Sequence, residues 1–158
     1  RTFSKSYSLA GARCGYAIGD EVLINGLKTV KDSINSYTVD RLTEGIAVKA
    51  LENSKYFNAQ VDKIITTREI YADKLREIGF NVLPSSANFL FAKHNEIKAS
   101  ELYYQLKKQG VLVRHFNQAR VDDYLRITIG SDNEMEALMK ALNKIISDAK
   151  TNVKSEEE

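Results

Sequence analysis

Apolar and polar residues change their spacing several times along the first forty residues. Residues 14–18 form a short, mostly apolar run that predicts a buried strand, ended by Gly19 and Asp20. Residues 21–30 then predict a short helix. The next stretch, 31–37, is polar and rich in Asn and Ser, and it predicts a loop. The opening part of the chain is thus expected to hold one strand and one helix.

A long helical pattern follows, from residue 38 to residue 79. This length is unusual for one globular helix, and Asn53-Ser54 is where we expect a break. Gly79 has the position of a glycine C-cap, where a left-handed backbone conformation ends a helix. The second of the two predicted helices has an apolar stripe that we expect to face the core: Val61, Ile65, Ala72 and Leu75.

From residue 80 onward the pattern switches repeatedly between strand and helix spacing. One helix is predicted over residues 99–109, and a second begins at a capping box formed by Ser131 and Glu134. Four apolar runs predict strands: 81–83, 89–92, 111–113 and 124–129. In the first of these helices Leu102 and Leu106 are expected to face inward. The second helix has four apolar residues at helical spacing: Met135, Leu138, Leu142 and Ile145. The order strand-strand-helix-strand-strand-helix predicts a small α+β sandwich, with its sheet packed against helices.

The composition is that of a globular protein with an ordinary core. Of the 158 residues, 43% are hydrophobic and 28% are charged, and the net charge is only +2. This balance gives no reason to expect a nucleic-acid or membrane surface, and no apolar run approaches the ~20 residues of a membrane span. The single cysteine, Cys14, is expected to be an inert core thiol, as suits a reducing, cytoplasmic compartment. His94 and His115 have no zinc-site spacing, so no metal is expected, and His94 is expected to be exposed.

Two basic residues occur in patterns that suit carbonyl or anion chemistry. Lys5 lies between Ser4 and Ser6, and a lysine is a useful nucleophile when its ammonium group is partly desolvated. Along residues 124–129, alternation puts Arg126 between two hydroxyl-bearing residues, where its planar fork suits a carboxylate. On spacing alone, a solvated surface charge is the more common explanation of each.

A longer motif at the start of the chain resembles a known family. The motif Thr2-Phe-Ser-Lys-Ser-Tyr-Ser-Leu-Ala-Gly11, followed by Arg13, is similar to the lysine segment of the fold-type I pyridoxal-phosphate aminotransferases. Further stretches extend the resemblance along most of the chain: 31–40, 84–89, 110–114 and 125–130. The combination is most similar to the histidinol-phosphate aminotransferases within that family.

The resemblance implies a cofactor and the residues that hold it. The cofactor would be pyridoxal 5'-phosphate, carried covalently by Lys5, which would then move a proton as general base and general acid. Ser4 and Arg13 would bind the cofactor phosphate, by a hydroxyl hydrogen bond and by a charge-assisted pair. Thr2 is a weaker candidate for the same phosphate.

The resemblance also implies substrates. Arg126 would hold the substrate α-carboxylate, and Arg114 would hold the phosphate of histidinol phosphate or the second acidic group of a related substrate. The implied reaction is amino-group transfer between histidinol phosphate and 2-oxoglutarate, in histidine biosynthesis. The expected partners are therefore a small-molecule amino donor, a 2-oxo acid and a second copy in a cytoplasmic homodimer.

In this family, sequence before the lysine supplies most of the cofactor pocket, whereas only four residues precede Lys5 here. We therefore expect the chain to be the C-terminal portion of an aminotransferase, of overall α/β class and inactive on its own. Four segments are expected: a remnant of the large cofactor-binding domain over 1–37, connecting helices over 38–79, the small domain over 80–150 and a charged tail over 151–158.

Two alternatives stay open. Another fold-type I enzyme would share the lysine segment, whether an aromatic or aspartate aminotransferase or a phosphothreonine-type decarboxylase. Arg114 favours a phosphorylated substrate among these. The other alternative is a non-catalytic α+β binding module, which predicts no cofactor absorbance in the full-length protein.

Overall fold

The computed structural model describes the backbone of residues 1–156, and the side chains of these residues except 150 and 152–156. The chain divides into two units, Arg1–Asp62 and Lys63–Glu158. Of the predicted charged tail, residues 157–158 lie outside the described residues. The predicted segment boundaries after residues 37, 79 and 150 stay predictions. Among the described helices, none is long and apolar enough to cross a membrane.

The first unit consists of helices joined by loops. Its elements are a 3-10 helix, Ala10–Ala12, then α1, Glu21–Ile34, α2, Arg41–Glu52, and the start of α3, Ser54–Glu77. The predicted break is confirmed, because α2 ends at Asn53, whose side-chain amide donates to the Lys49 carbonyl oxygen at 2.8 Å. This local hydrogen bond separates two helices that the apolar pattern alone would join.

Aspartates cap the starts of α1 and α2. Asp20 accepts a hydrogen bond from the Val22 backbone N–H at 2.9 Å. Asp40 accepts from the Thr43 backbone N–H at 2.9 Å and from the Thr43 hydroxyl at 2.7 Å. Each carboxylate satisfies a helix N–H that has no partner within the helix. The hydrogen bond from the Thr43 backbone lowers the pKa of Asp40.

The strand predicted over residues 14–18 is wrong. Only Gly15 pairs, in an isolated antiparallel bridge with Thr2, and Ile18 is 89% exposed. An extended apolar run becomes a strand only where neighbouring strands satisfy its backbone groups. The expected remnant of a larger sheet is therefore a single bridge in the described chain. Cys14, expected in the core, is half-buried.

The loop predicted over residues 31–37 begins later than expected. Helix α1 continues to Ile34, and the Asn35 backbone N–H donates to the Lys31 carbonyl oxygen at 2.7 Å. Within the helix, the Ser33 hydroxyl donates to the Thr29 carbonyl oxygen at 2.8 Å. Serine here bonds to the helix backbone in place of interrupting it. The loop prediction is wrong up to Ile34.

The second unit contains a four-stranded antiparallel sheet and two further helices. The elements are β1, Phe80–Val82, β2, Phe89–His94, α4, Ala99–Lys108, β3, Arg114–His115, β4, Leu125–Thr128, and α5, Asp132–Glu156. The strands lie in the order β1-β2-β4-β3. This element order confirms the predicted small α+β arrangement.

Side-chain alternation puts the core on one face of the sheet. Leu125 and Ile127 are 0% and 2% exposed, while Arg126 lies between them on the opposite face and is half-buried. Leu102 and Leu106, predicted to face inward, are confirmed as core residues, and the four helically spaced apolar residues of α5 belong to the same core. The predicted stripe of α3 is only partly correct, because Ala72 and Leu75 are buried but Ile65 is 41% exposed.

The strand predicted over residues 111–113 is displaced along the chain. Gly110, with a φ of +78°, follows α4, and the Val111 backbone N–H returns to the Leu106 carbonyl oxygen at 3.0 Å. This hydrogen bond uses the donor that a strand at residue 111 would need. Pairing with β4 begins only at Arg114, so the prediction is wrong by three residues.

His94 is buried, which contradicts the prediction that it is exposed. It is 9% exposed at the end of β2, because the backbone N–H groups of Glu96 and Ile97 both donate to its Nδ1 at 3.1 Å. Its Nε2 lies 3.1 Å from the Ile78 carbonyl oxygen, at the end of α3. With Nδ1 accepting, the ring proton is on Nε2 and donates to Ile78. His94 thus accepts the hydrogen bonds that close a turn. Its polar neighbours in the sequence gave no indication that it would be buried.

Candidate active site

Lys5 lies in a loop, residues 1–16, which we call the lysine loop. The two ends of the loop run antiparallel, and the Phe3 backbone N–H donates to the Cys14 carbonyl oxygen at 3.2 Å. Glycine is required at position 15, since a Cβ there would lie 2.7 Å from the Arg1 carbonyl oxygen. The close approach of the two ends therefore depends on a residue that has no side chain.

Aromatic packing fixes the lysine loop while Lys5 stays exposed. Phe3 is 4% exposed, and its ring centroid lies 5.1 Å from that of Tyr7 and 5.8 Å from that of Tyr16. Tyr7 in turn contacts Phe57 of α3, with ring centroids 5.2 Å apart. The Ser8 backbone N–H donates to the Lys5 carbonyl oxygen at 2.9 Å and forms a turn. The backbone of Lys5 is held on both sides, and its amine faces solvent.

Two hydroxyl groups lie together beside Lys5. The Thr2 hydroxyl donates to the Ser4 hydroxyl oxygen at 2.8 Å, and the Ser4 backbone N–H donates to the Thr2 hydroxyl oxygen at 3.0 Å. Such a turn, in which a hydroxyl binds the backbone two residues on, is typical of Ser and Thr. The structure therefore brings together two of the three residues predicted to bind a phosphate.

Arg13, the third of these residues, ends the 3-10 helix of the lysine loop. Its backbone is left-handed, with a φ of +52°, and its Nη1 donates to the Ala10 carbonyl oxygen at 3.0 Å. A guanidinium group has five N–H donors, so one bond to Ala10 leaves capacity for an anion. The candidate residues of the lysine loop thus supply an amine, two hydroxyls and a guanidinium. This donor set fits a cofactor that carries both an aldehyde and a phosphate.

The second unit carries two arginines side by side on the sheet. Arg114 of β3 and Arg126 of β4 are direct register partners, so their side chains share the face opposite the core. We call the two residues the arginine pair. Like charges directly opposite each other destabilise a sheet, and an anion between them would remove that repulsion.

Arg126 has an unsatisfied donor. Among the described residues its Nε is buried and has no hydrogen-bond partner. A buried donor left in this way costs about 1–3 kcal/mol. The guanidinium carbon Cζ lies 4.7 Å from the centroid of the Phe89 ring, a cation–π contact that uses none of the N–H donors of Arg126.

Sequence reasoning missed the aromatic side chains around the arginine pair. Phe91 stacks on Tyr124 with a centroid distance of 4.7 Å, and Phe116 lies beneath Arg114. Alternation along β2 could have placed Phe89 and Phe91 on the arginine face. No local signal placed Phe116 there, because β3 was predicted three residues too early.

Arg68 is a second missed residue. It is 9% exposed on α3, and its Nη1 donates to the Ala87 carbonyl oxygen at 3.0 Å. Its Nε and Nη2 both donate to the Glu69 carboxylate. Arg68 therefore fixes the loop that leads into β2.

Comparison with known proteins gives these groups a context. The sequence profile of aminotransferase class I and II matches residues 1–142. The histidinol-phosphate aminotransferase 1 of Hydrogenovibrio crunogenus is 49% identical over 146 residues, which is 92% of this chain and 41% of that protein. The chain thus spans about two fifths of the length of the curated relatives that it matches.

Solved structures show the same architecture. The histidinol-phosphate aminotransferase of Sinorhizobium meliloti, in complex with pyridoxal-5'-phosphate, matches with a TM-score of 0.81 and 28% identity. The match covers 94% of this chain and 40% of that one. The L-threonine-O-3-phosphate decarboxylase of Porphyromonas gingivalis shares the fold, with a TM-score of 0.75 at 23% identity over 92% of this chain and 45% of its own.

Proposed function

The chain belongs to the class I and II aminotransferases, and from that premise we propose the activity of the whole protein. It transfers the amino group of histidinol phosphate to 2-oxoglutarate, with pyridoxal 5'-phosphate as cofactor, in the cytoplasm and as a homodimer. The relatives at 49% identity, which are named histidinol-phosphate aminotransferases, support this choice of substrate.

The lysine loop supplies the residues that hold the cofactor. Lys5 carries it through its exposed amine, and Ser4, Thr2 and Arg13 donate to its phosphate. When bound, the cofactor withdraws electrons from the substrate carbon that bears the amine. The amine of Lys5, once released by the substrate, takes the proton from that carbon and later returns a proton. Phe3, fixed by its ring contacts, keeps the Lys5 backbone in place during these steps.

The arginine pair supplies the residues that hold the substrate. Arg126 binds the α-carboxylate of the amino acid and 2-oxo acid, as a planar fork suited to two parallel hydrogen bonds. Histidinol phosphate has no carboxylate, because a phosphate ester on a methylene group replaces it. Its phosphate therefore meets Arg114 and Arg126 together, and the two positive charges match a group with a charge near −2.

One observation carries the substrate proposal: the register pairing of Arg114 with Arg126 beside a buried, unpartnered Nε. A single carboxylate needs one guanidinium fork. Two adjacent guanidinium forks are better matched to a phosphate, which has three terminal oxygens.

The proposal is tested on the full-length enzyme with a substrate panel. Histidinol phosphate is expected to give a kcat/KM at least about a hundredfold above that for histidinol, which lacks the charge-assisted bonds of the phosphate. Release of carbon dioxide from phosphothreonine in place of amino transfer would indicate the decarboxylase alternative. Equal rates with aspartate or aromatic amino acids would overturn the phosphate proposal.

The role of Lys5 is tested separately. Reduction of the cofactor-loaded enzyme with borohydride, followed by peptide mapping, should place the pyridoxyl group on Lys5. Lys28, an exposed lysine of α1, serves as the internal control and should stay unlabelled. A label on any lysine other than Lys5 would overturn the assignment, and absence of cofactor absorbance would favour a non-catalytic module.

A further inference from the structure

A phenylalanine ring lies against each arginine of the pair. Cζ of Arg126 is 4.7 Å from the Phe89 ring centroid, and Cζ of Arg114 is 5.0 Å from that of Phe116. We propose that Phe89 and Phe116 are positioning residues: each holds a guanidinium over its ring by a contact that uses none of the guanidinium's N–H donors, which leaves these donors for the substrate phosphate. This proposal rests on the proposed function, because it assigns the means by which the same site selects a phosphate.

The kind of contact that holds a guanidinium determines how many of its N–H donors remain available for a ligand. All five N–H donors of arginine lie in the plane of the group. Arg68 shows the alternative, since the Glu69 carboxylate and the Ala87 carbonyl oxygen accept hydrogen bonds from its Nε, Nη1 and Nη2. Arg126 instead contacts the Phe89 ring and has a buried Nε with no partner among the described residues. A ring fixes the group without using its donors.

Strand geometry produces both contacts. Phe89 of β2 is the register partner of Thr128, and so it is the diagonal neighbour of Arg126 on the same face. Phe116 follows Arg114 by two residues, the spacing that puts side chains on the same side of an extended segment. The two rings thus come from different parts of the chain and support adjacent guanidinium groups.

The backbone around Phe89 is fixed by hydrogen bonds. The Ser85 hydroxyl donates to the Phe89 carbonyl oxygen at 2.7 Å, and the Ile129 backbone N–H donates to the Asn88 carbonyl oxygen at 2.9 Å. Arg68 holds the preceding residue, Ala87. A ring on such a backbone can set the orientation of Arg126 before any substrate arrives.

The rings have a consequence for specificity. Adjacent guanidinium groups repel each other, and contact with the π-faces offsets part of this repulsion in the free enzyme. A phosphate that bridges both arginines needs both orientations, whereas a carboxylate bound to Arg126 needs one. Loss of the Phe116 ring should therefore weaken phosphate binding and leave carboxylate binding unchanged, whereas loss of the Phe89 ring should weaken both.

The experiment compares Phe89→Leu and Phe116→Leu in the full-length, cofactor-loaded enzyme. Each variant keeps an apolar side chain and loses the π-face. KM for histidinol phosphate and the Kd for inorganic phosphate, measured by calorimetry, should rise about three- to tenfold. We expect kcat to change less than about twofold in both variants. KM for glutamate should change less than about twofold in Phe116→Leu but should rise in Phe89→Leu, because Phe89 supports the arginine that binds the α-carboxylate. Phe89→Tyr keeps the π-face and should retain wild-type binding.

Tyr104→Leu is the control. The Tyr104 ring of α4 also contacts a cation, with Nζ of Lys108 4.4 Å from its centroid, whereas the arginine pair contacts Phe89 and Phe116. We expect it to change the Kd for phosphate less than about twofold. Equal effects of Phe89→Leu and Tyr104→Leu would overturn the proposal, as would a Phe89→Tyr variant as weak as Phe89→Leu. If Phe89→Leu does not fold, the proposal is tested by Phe116→Leu alone, since Phe116 follows the edge strand β3.

The outcomes separate this proposal from the proposed function. If the enzyme does not turn over histidinol phosphate, the proposed function fails, and calorimetry with inorganic phosphate still tests the two rings. If turnover occurs but both leucine variants bind phosphate as the wild type does, the role of the rings is wrong and the proposed function stands.

Discussion

At the scale of single residues, Arg126 combines a half-buried position with an unpartnered Nε among the described residues. Its neighbours on β4, Leu125 and Ile127, are buried in the core and fix the strand. The side chain is therefore held at its backbone by the strand and at its guanidinium group by the contact with the Phe89 ring. Lysine could not reproduce this, because its ammonium is a point charge on a flexible chain.

We predict that Arg126→Lys in the full-length enzyme raises KM for the amino donor about tenfold to a hundredfold. This range corresponds to roughly 1.5–3 kcal/mol for one lost charge-assisted hydrogen bond. Cofactor binding, followed by absorbance, should change little. Arg120→Lys alters an exposed arginine of the same unit and should leave KM unchanged. An unchanged KM in Arg126→Lys would make Arg126 an ordinary residue of a solvated strand.

The position of His94 also depends on contacts of a single residue. Its ring makes three hydrogen bonds and an edge-on contact with the Phe80 ring, at a centroid distance of 5.0 Å. We predict that His94→Ala lowers the free energy of unfolding by about 2–4 kcal/mol, since two backbone N–H groups lose their acceptor and a cavity forms. Chemical denaturation measures this loss. His94→Asn keeps an acceptor near the position of Nδ1 and should recover part of it. Equal losses in the two variants would show that the acceptor has no role.

At the scale of elements, α5 begins with half of the predicted capping box. The Glu134 carboxylate accepts from the Ser131 backbone N–H at 2.7 Å, as predicted. The Ser131 hydroxyl, however, donates to the same carboxylate at 2.8 Å and does not accept from the helix. Both hydrogen bonds favour the ionised form, and the backbone bond contributes most to the lowered pKa of Glu134.

This lowered pKa has a defined consequence for stability. The contribution of Glu134 is complete above its ordinary pKa of 4.5 and is lost as the pH falls through the lower, folded-state pKa. We predict that wild type melts at a higher temperature than Glu134→Gln at pH 7, and that the difference in Tm shrinks as the pH is lowered below 4.5. Glu136→Gln on the same helix controls for the change in net charge. A difference in Tm that persists in acid would contradict this account.

Two glycines follow helices α3 and α4, and they differ in what surrounds them. Gly79 has a φ of +93°, and a Cβ there would lie 3.1 Å from Nε2 of His94. Gly110 has a φ of +78°, with nothing within 4 Å of its Cβ position. A side chain would therefore strain the backbone at both positions, but its Cβ would be crowded by a neighbouring side chain only at Gly79.

We predict that Gly110→Ala destabilises the second unit by about 1–2 kcal/mol, the cost of a side chain in the left-handed region. Gly79→Ala should cost more, because the new Cβ also displaces His94 from its hydrogen bond to Ile78. Denaturation of the two variants in parallel measures the difference. Equal losses of unfolding free energy in Gly79→Ala and Gly110→Ala would contradict this prediction and show that His94 moves aside without cost.

At the scale of the whole molecule, the two units differ in how much apolar surface they bury. In the first unit the buried hydrophobic residues are Phe3, Ala47 and Ala50, whereas the described residues of the second include a continuous core of nineteen buried residues. Helix α1 exposes a set of apolar side chains: Val22, Leu23, Leu27, Val30 and Ile34. Buried apolar area provides most of the stability of a fold, so the units should open independently.

We predict that hydrogen exchange of the 158-residue chain separates the two units. Amides of β2 and β4 should exchange at least roughly a hundredfold more slowly than amides of α1, because strands in a core open only with the unit that contains them. Mass spectrometry of peptides from each element measures this. The same peptides in the full-length enzyme are the control, and uniform protection across the short chain would contradict the prediction.

Local features of the structure were predictable because they depend on residues close together in sequence. The break at Asn53, the glycine at position 79 and the alternation around Arg126 each result from contacts or geometry within a few residues. The lysine motif likewise identified the family, since it is a contiguous stretch. The roles of its residues in catalysis stay predictions.

Tertiary structure alone decided the features that join distant residues. Residues 111–113 have strand composition, but pairing begins at Arg114, where β4 is within reach. His94 is surrounded by polar residues in sequence and is buried because Ile78 lies beside it in the fold. Phe116 reaches the arginine face only after that register is set. The spacing of apolar residues in a sequence indicates whether a segment is a helix or a strand. Which strands pair in a sheet depends instead on the segments that the core brings together.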